Sequence, residues 1–80
     1  VENDENARRY GFIEKINDKL RVLFPDGITD AEEKRAEVLE YAAGKALGLP
    51  GIRDIAAARE LPLADLEKLW GVVDRIVDAH

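Results

Sequence analysis

Leu61-Pro62-Leu63-Ala64-Asp65-Leu66-Glu67-Lys68-Leu69-Trp70-Gly71-Val72-Val73-Asp74-Arg75-Ile76-Val77 is the stretch that decides how this chain folds. Leu66, Leu69, Trp70, Val73, Ile76 and Val77 recur at steps of three and four, so a helix of 3.6 residues per turn gathers them into one apolar stripe. Glu67, Lys68, Asp74, Arg75 and Asp78 take the opposite side. Pro62 suits the first turn, where a missing N–H leaves no bond unmade. A stripe this continuous must be covered, and the sequence predicts that this closing helix is the spine of the core.

Working upstream, Ile52 to Arg59 or Glu60 reads as a short helix with Ile52, Ile55 and Ala56 inward. Gly48-Leu49-Pro50-Gly51 separates it from a longer helix over about Asp30–Leu47, which buries Val38, Leu39, Ala42, Ala43, Ala46 and Leu47. Thr29-Asp30-Ala31-Glu32 has the form of a capping box, with the Thr29 hydroxyl on the Glu32 amide and the Glu32 carboxylate reaching back. The first helix is predicted from somewhere in residues 4–7 to Phe24, with Ile13, Ile16, Leu20, Leu23 and Phe24 on one stripe and Tyr10 extending it. Pro25-Asp26-Gly27 stops it. Residues 1–6 are expected to be a flexible lead or linker. Residues 7–80 form one helical domain, read as part of a larger protein because the chain starts without Met. The fold class is therefore all-α: a compact four-helix domain of two long antiparallel helices, a short helix and a long closing helix. Its expected core is Ile13, Ile16, Leu20, Leu23, Val38, Leu39, Ala42, Leu47, Ile52, Ile55, Leu66, Leu69, Trp70, Val73 and Ile76.

Composition argues about chemistry by what is missing. The 80 residues contain no Cys, Ser or Met, one Thr, and a single histidine, His80, expected to be a tail residue. Those side chains supply most nucleophiles, general bases and soft metal ligands. The 17 carboxylates alternate with 12 Lys and Arg along the outward faces of the predicted helices, the pattern of a solvated surface. No enzyme activity, cofactor or metal is expected. Asp26, Asp30 and Glu33 around the 25–29 turn resemble a calcium loop only in their oxygen chemistry, since turn formation and helix capping account for them. Zero cysteines fit a reducing interior, and no apolar run nears the roughly 20 residues of a membrane span, so a cytoplasmic protein without membrane contact is expected.

Two binding readings remain. Arg8, Lys15 and Lys19 share one face of the first helix and, with a half-exposed Tyr41 beside the buried positions of the second, are candidates for contact with another protein or peptide. A groove flanked by the first and last helices is the expected seat. The alternative is direct DNA binding: Ile52–Leu66 has the outline of a helix-turn-helix, with Arg53, Arg59 and Lys68 as its basic residues. The net charge of −5 disfavours nucleic acid as a partner. Glu60 also stands where a turn glycine is usual, and Asp65 and Glu67 open the would-be recognition helix. A third reading, pairing of two copies, requires Leu61 and Leu63 to be exposed together.

Residues 16–77 resemble a small helical module at the C-terminus of some phage recombination proteins, including single-strand annealing proteins. The likeness runs through the Ile16–Phe24 helix, the Gly27-Ile28-Thr29-Asp30 start of the next, the Ile52–Ile55 segment and Leu61-Pro62-Leu63-Ala64-Asp65-Leu66. It departs at Pro62, which replaces the capping hydroxyl of the pattern. The resemblance implies a docking appendage that recruits recombination or replication partners, separate from a DNA-annealing core. A shorter stretch, Asp26–Glu33, is similar to tellurite-resistance-type helical domains, and a turn with a capping box explains it equally.

Overall fold

The computed structural model describes residues 2–79, which form four helices and no strand. They are α1 (Glu2–Leu23), α2 (Ala31–Leu47), α3 (Ile55–Ala58) and α4 (Leu63–Ala79). The domain is all-α, as its sequence predicts. Val1 and His80, and with them the tail expected at His80, lie outside the described residues. The first helix reaches back to Glu2 rather than starting within residues 4–7. Acidic Asp4 and Glu5 lie in the opening turns, near the positive end of the helix dipole, which favours the longer helix.

α4 is the shared wall of the fold. Leu66, Leu69 and Val73 are fully buried, and Trp70, Val72, Ile76 and Val77 pack against them while half-buried. α1 lays Ile13, Ile16 and Leu20 along one side of α4, and α2 lays Leu39, Ala42 and Ala43 along the other. The two long helices touch each other little, because each spends its apolar stripe on α4. Alanines at 42 and 43 bring the α2 backbone close to its neighbour. Leu23, Val38, Leu47, Ile52 and Ile55 are half-buried rather than central, whereas Ala31, Ala58 and Leu61 join the buried set. Leu61 is thus part of the interior. The condition for pairing two copies through exposed Leu61 and Leu63 is not met.

Two arginines complete the faces that the aliphatic residues begin. Tyr10, expected on the α1 stripe, is 64% exposed. The residue that falls in line is Arg9, since 9, 13, 16 and 20 repeat at steps of four, three and four. Its Nε donates to the Leu61 carbonyl at 3.1 Å, its Nη2 to the Arg59 carbonyl, and its Nη1 to Asn6 Oδ1 at 3.5 Å. This ties α1 to the corner between α3 and α4. Arg35 plays the same part on α2, one turn before Leu39. Its Nε donates to the Phe24 carbonyl at 2.8 Å and its Nη2 to Asp26 Oδ1 at 2.7 Å.

The start of α2 corrects the capping box. Asp30, not Thr29, is the N-cap residue; it sits in the left-handed region at φ 60° and its side chain makes no capping bond. Backbone bonds close the turn instead, with the Ile28 amide on the Pro25 carbonyl (3.3 Å) and the Ala31 amide on the Ile28 carbonyl (3.1 Å). Burial of Ala31 and the Arg35 clamp fix the chain path one residue later than the hydroxyl pattern suggests. At the other end Gly48, at φ 67°, terminates α2, and its amide donates to the Gly44 carbonyl at 3.0 Å.

α3 is shorter than its sequence predicts. Asp54 is extended and accepts the Ala57 amide at 2.8 Å, so the helix begins at Ile55 and leaves Ile52–Asp54 outside it. The Pro62 carbonyl accepts the Leu66 amide at 3.0 Å, which places Pro62 just before α4 rather than in its first turn.

The Arg35–Asp26 contact yields a measurable titration. The hydrogen bond from Arg35, then its charge and that of Arg21, hold the Asp26 carboxyl below its ordinary value of 3.8. A depressed carboxyl stabilises the fold above its unfolded value, and that contribution is lost as pH falls through the folded one. A carboxyl-carbon NMR titration should therefore place the Asp26 midpoint below 3.8. Arg35→Gln should move it back upward, and an unchanged midpoint in that variant would refute the assignment.

Candidate functional site

The basic face expected on α1 is divided by its neighbours. Lys19 Nζ lies 3.1 Å from Asp74 Oδ1 and 3.6 Å from Asp78 Oδ1, both on α4. The hydrogen bond to Asp74, reinforced by both carboxylate charges, keeps the Lys19 ammonium titrating above its ordinary value. Lys19 is thus engaged within the fold. The Lys15 ammonium stands 5.3 Å from the Phe12 ring centre and 6.0 Å from that of Trp70, within the range of cation–π attraction. Arg8 shares a shallow recess with Gly11, Phe12, Lys15 and Glu67. Of the three predicted cations, Arg8 and Lys15 stay together, and Glu67 joins them.

Tyr41 lies elsewhere, on the outer face of α2. It is 58% exposed, and Lys45 one turn later reaches its hydroxyl end. The Lys45 ammonium donates to the Tyr41 hydroxyl at 3.2 Å and stands 5.4 Å from its ring centre. Beside it opens a groove of about 870 Å³ bordered by Glu37, Glu40, Gly44, Gly48, Pro50 and Arg53. The 48–53 turn forms one bank and the last turns of α2 the other. Gly44 lets the groove reach the helix backbone, for a Cβ there would meet nothing within 4 Å. The groove is not flanked by the first and last helices, as the sequence suggests, because those two are packed together along their length.

The three residues of the DNA-binding alternative do not border one surface feature. Arg53 Nε is 2.9 Å from Glu40 Oε2 on α2 and forms part of the Tyr41 groove. Arg59 faces α1, beside Asn6, Arg9, Tyr10 and Ile13. Lys68 is exposed on α4. Around the 25–33 turn, Asp26 is taken up by Arg35, and among the described residues no three His, Cys, Asp or Glu side chains gather as a metal site. Among the same residues no helix is long and apolar enough to cross a membrane.

Sequence reasoning picked out Tyr41 and Arg53 separately. It missed that they border one groove, and it missed Glu37, Gly44 and Pro50. Comparison with protein-family models, with curated proteins and with solved structures finds no match to this chain.

Proposed function

We propose that this domain is a non-catalytic docking module of a larger cytosolic protein and that its partner, a protein or peptide, seats in the Tyr41 groove. The supporting observation is the pre-set aromatic. A tyrosine whose hydroxyl already accepts a bond from Lys45 one turn away stands partly ordered on the surface, and large aromatics with few rotatable bonds are typical anchors of interfaces. Gly44 beside it allows a partner backbone to come close, and the Glu40–Arg53 pair gives the rim polar groups of both signs. The resemblance of residues 16–77 to recombination-protein modules suggests the setting, an appendage that recruits partners to a DNA-handling protein.

A photo-reactive phenylalanine analogue at position 41 tests this directly in a lysate of the source cells. A discrete adduct should form from position 41 and not from position 22, where Val22 is 72% exposed on α1. Identical adducts from both positions, or none from either, would refute the groove as a docking seat. Labelled duplex and single-stranded DNA at low salt provide the contrary arm. A salt-sensitive mobility shift weakened by Arg53→Ala and Arg59→Ala would replace the docking reading with DNA binding.

A further inference from the structure

A further concavity lies between α1 and the corner after α3. It encloses about 160 Å³ and is lined by Asn6, Arg9, Tyr10, Ile13 and Arg59. The other concavities described, at the Tyr41 groove and the Phe12 recess, each carry at least one carboxylate. Among the described residues this one carries none, on a chain with 17 acidic and 12 basic residues. Instead it brings two guanidinium groups, a phenol and an amide to the same small space.

The two arginines differ in how they are held. Arg9 is fixed by its bonds to the Leu61 and Arg59 carbonyls and to Asn6. A guanidinium has five N–H groups, and those three bonds leave two of them for another acceptor. Arg59 is exposed, and among the described residues its side chain has neither an ion pair nor a hydrogen bond. Placing two cations in one recess with no carboxylate costs electrostatic energy that a bound anion offsets. Planar guanidinium forks match the oxygens of a phosphoryl group, and the Tyr10 hydroxyl and Asn6 amide supply neutral donors beside them.

We propose that this recess binds a phosphoryl group, as a phosphomonoester or free phosphate. A compact dianion suits its size. A nucleic-acid backbone spreads its charge along a strand and meets the net charge of −5 outside the recess. The site uses none of the residues of the Tyr41 groove, so its failure leaves the docking reading in place.

The test is an amide NMR titration of the whole domain at constant ionic strength with three probes: inorganic phosphate, a phosphoserine hexapeptide and a single-stranded oligonucleotide. Inorganic phosphate is expected to produce saturable shifts centred on residues 6–13 and 59. Affinity should fall about tenfold in Arg59→Gln, equivalent to one lost charge-assisted contact. Arg59 and Tyr10 are exposed, so Arg59→Gln and Tyr10→Phe leave the fold intact, whereas Arg9 is left in place because it anchors the corner. Tighter binding of the phosphopeptide than of phosphate would identify a modified side chain as the source, and equal affinities a free anion. Absence of saturation with phosphate, or shifts unchanged by Arg59→Gln, would overturn the proposal. Binding of the oligonucleotide alone, with strong salt dependence, would overturn it in favour of a strand-tracking surface.

Discussion

Leu69→Ala is expected to destabilise the domain by about 2–5 kcal/mol, the range for deleting a fully enclosed leucine side chain. Leu69 is 0% exposed and lies mid-way along α4, where the inward faces of α1 and α2 meet the same helix. The surroundings have little freedom to collapse into the gap, since Arg9 ties α1 to the corner before α4 and Arg35 ties α2 to the turn after α1. A domain of this length is stable by only about 4–12 kcal/mol, so the loss is a large share of the total. Urea unfolding followed by circular dichroism checks it. The midpoint should drop far more than in Val22→Ala, which removes an exposed side chain and should stay within about 0.5 kcal/mol of the parent. Similar midpoints in the two variants would show that α4 is not the wall of the core.

Arg9→Met should cost about 1.5–3 kcal/mol, the range for hydrogen bonds made by a charged group. Methionine preserves most of the aliphatic stem that covers the interior and removes the donors to the Leu61 and Arg59 carbonyls. The Nε bond to Leu61 is partly buried, so the carbonyl loses a partner where water reaches it less readily. Arg8→Met, one residue earlier and exposed, is the matched control and should change little. Amide exchange adds location. Protection should fall at residues 58–63 in Arg9→Met before it falls in α2, and a uniform loss would place the effect in the core rather than at the corner.

These two residues also mark how far the sequence could be read. The α4 stripe was legible because six apolar residues at helical spacing have one geometric solution, and Leu66, Leu69 and Val73 are buried accordingly. Arg9 was not, although its spacing to Ile13, Ile16 and Leu20 is the better fit to that face. A hydrophobicity criterion prefers Tyr10, and what draws Arg9 inward is a pair of carbonyls 50 and 52 residues away. The capping box failed for a related reason. A local hydroxyl and carboxylate compete with a turn whose path is set by backbone bonds and by Arg35, and the tertiary contacts prevail. The Asp54 cap of α3 was available locally, since an aspartate directly before Ile55-Ala56-Ala57-Ala58 is a favoured N-cap. Of the candidate site, Tyr41 was legible as a half-exposed aromatic, and it is 58% exposed. The bank opposite it was not, because Pro50 and Arg53 reach the groove only through the course of the 48–53 turn.

The dependence of α1 and α2 on α4 has a consequence for biosynthesis. Translation produces these helices in the order of the chain, so the ribosome releases both long flanking helices before the surface that each of them needs. Neither has much to hold it in place alone, because most helical stability in proteins comes from tertiary packing of the apolar face. Folding therefore waits until residues near Val73 have left the exit tunnel, and then proceeds in one step. During that interval the apolar stripes of α1 and α2 are open to chaperones and to neighbouring nascent chains. A premature stop before α4 leaves a polypeptide with two uncovered stripes, which makes it a target for degradation rather than a partly working domain.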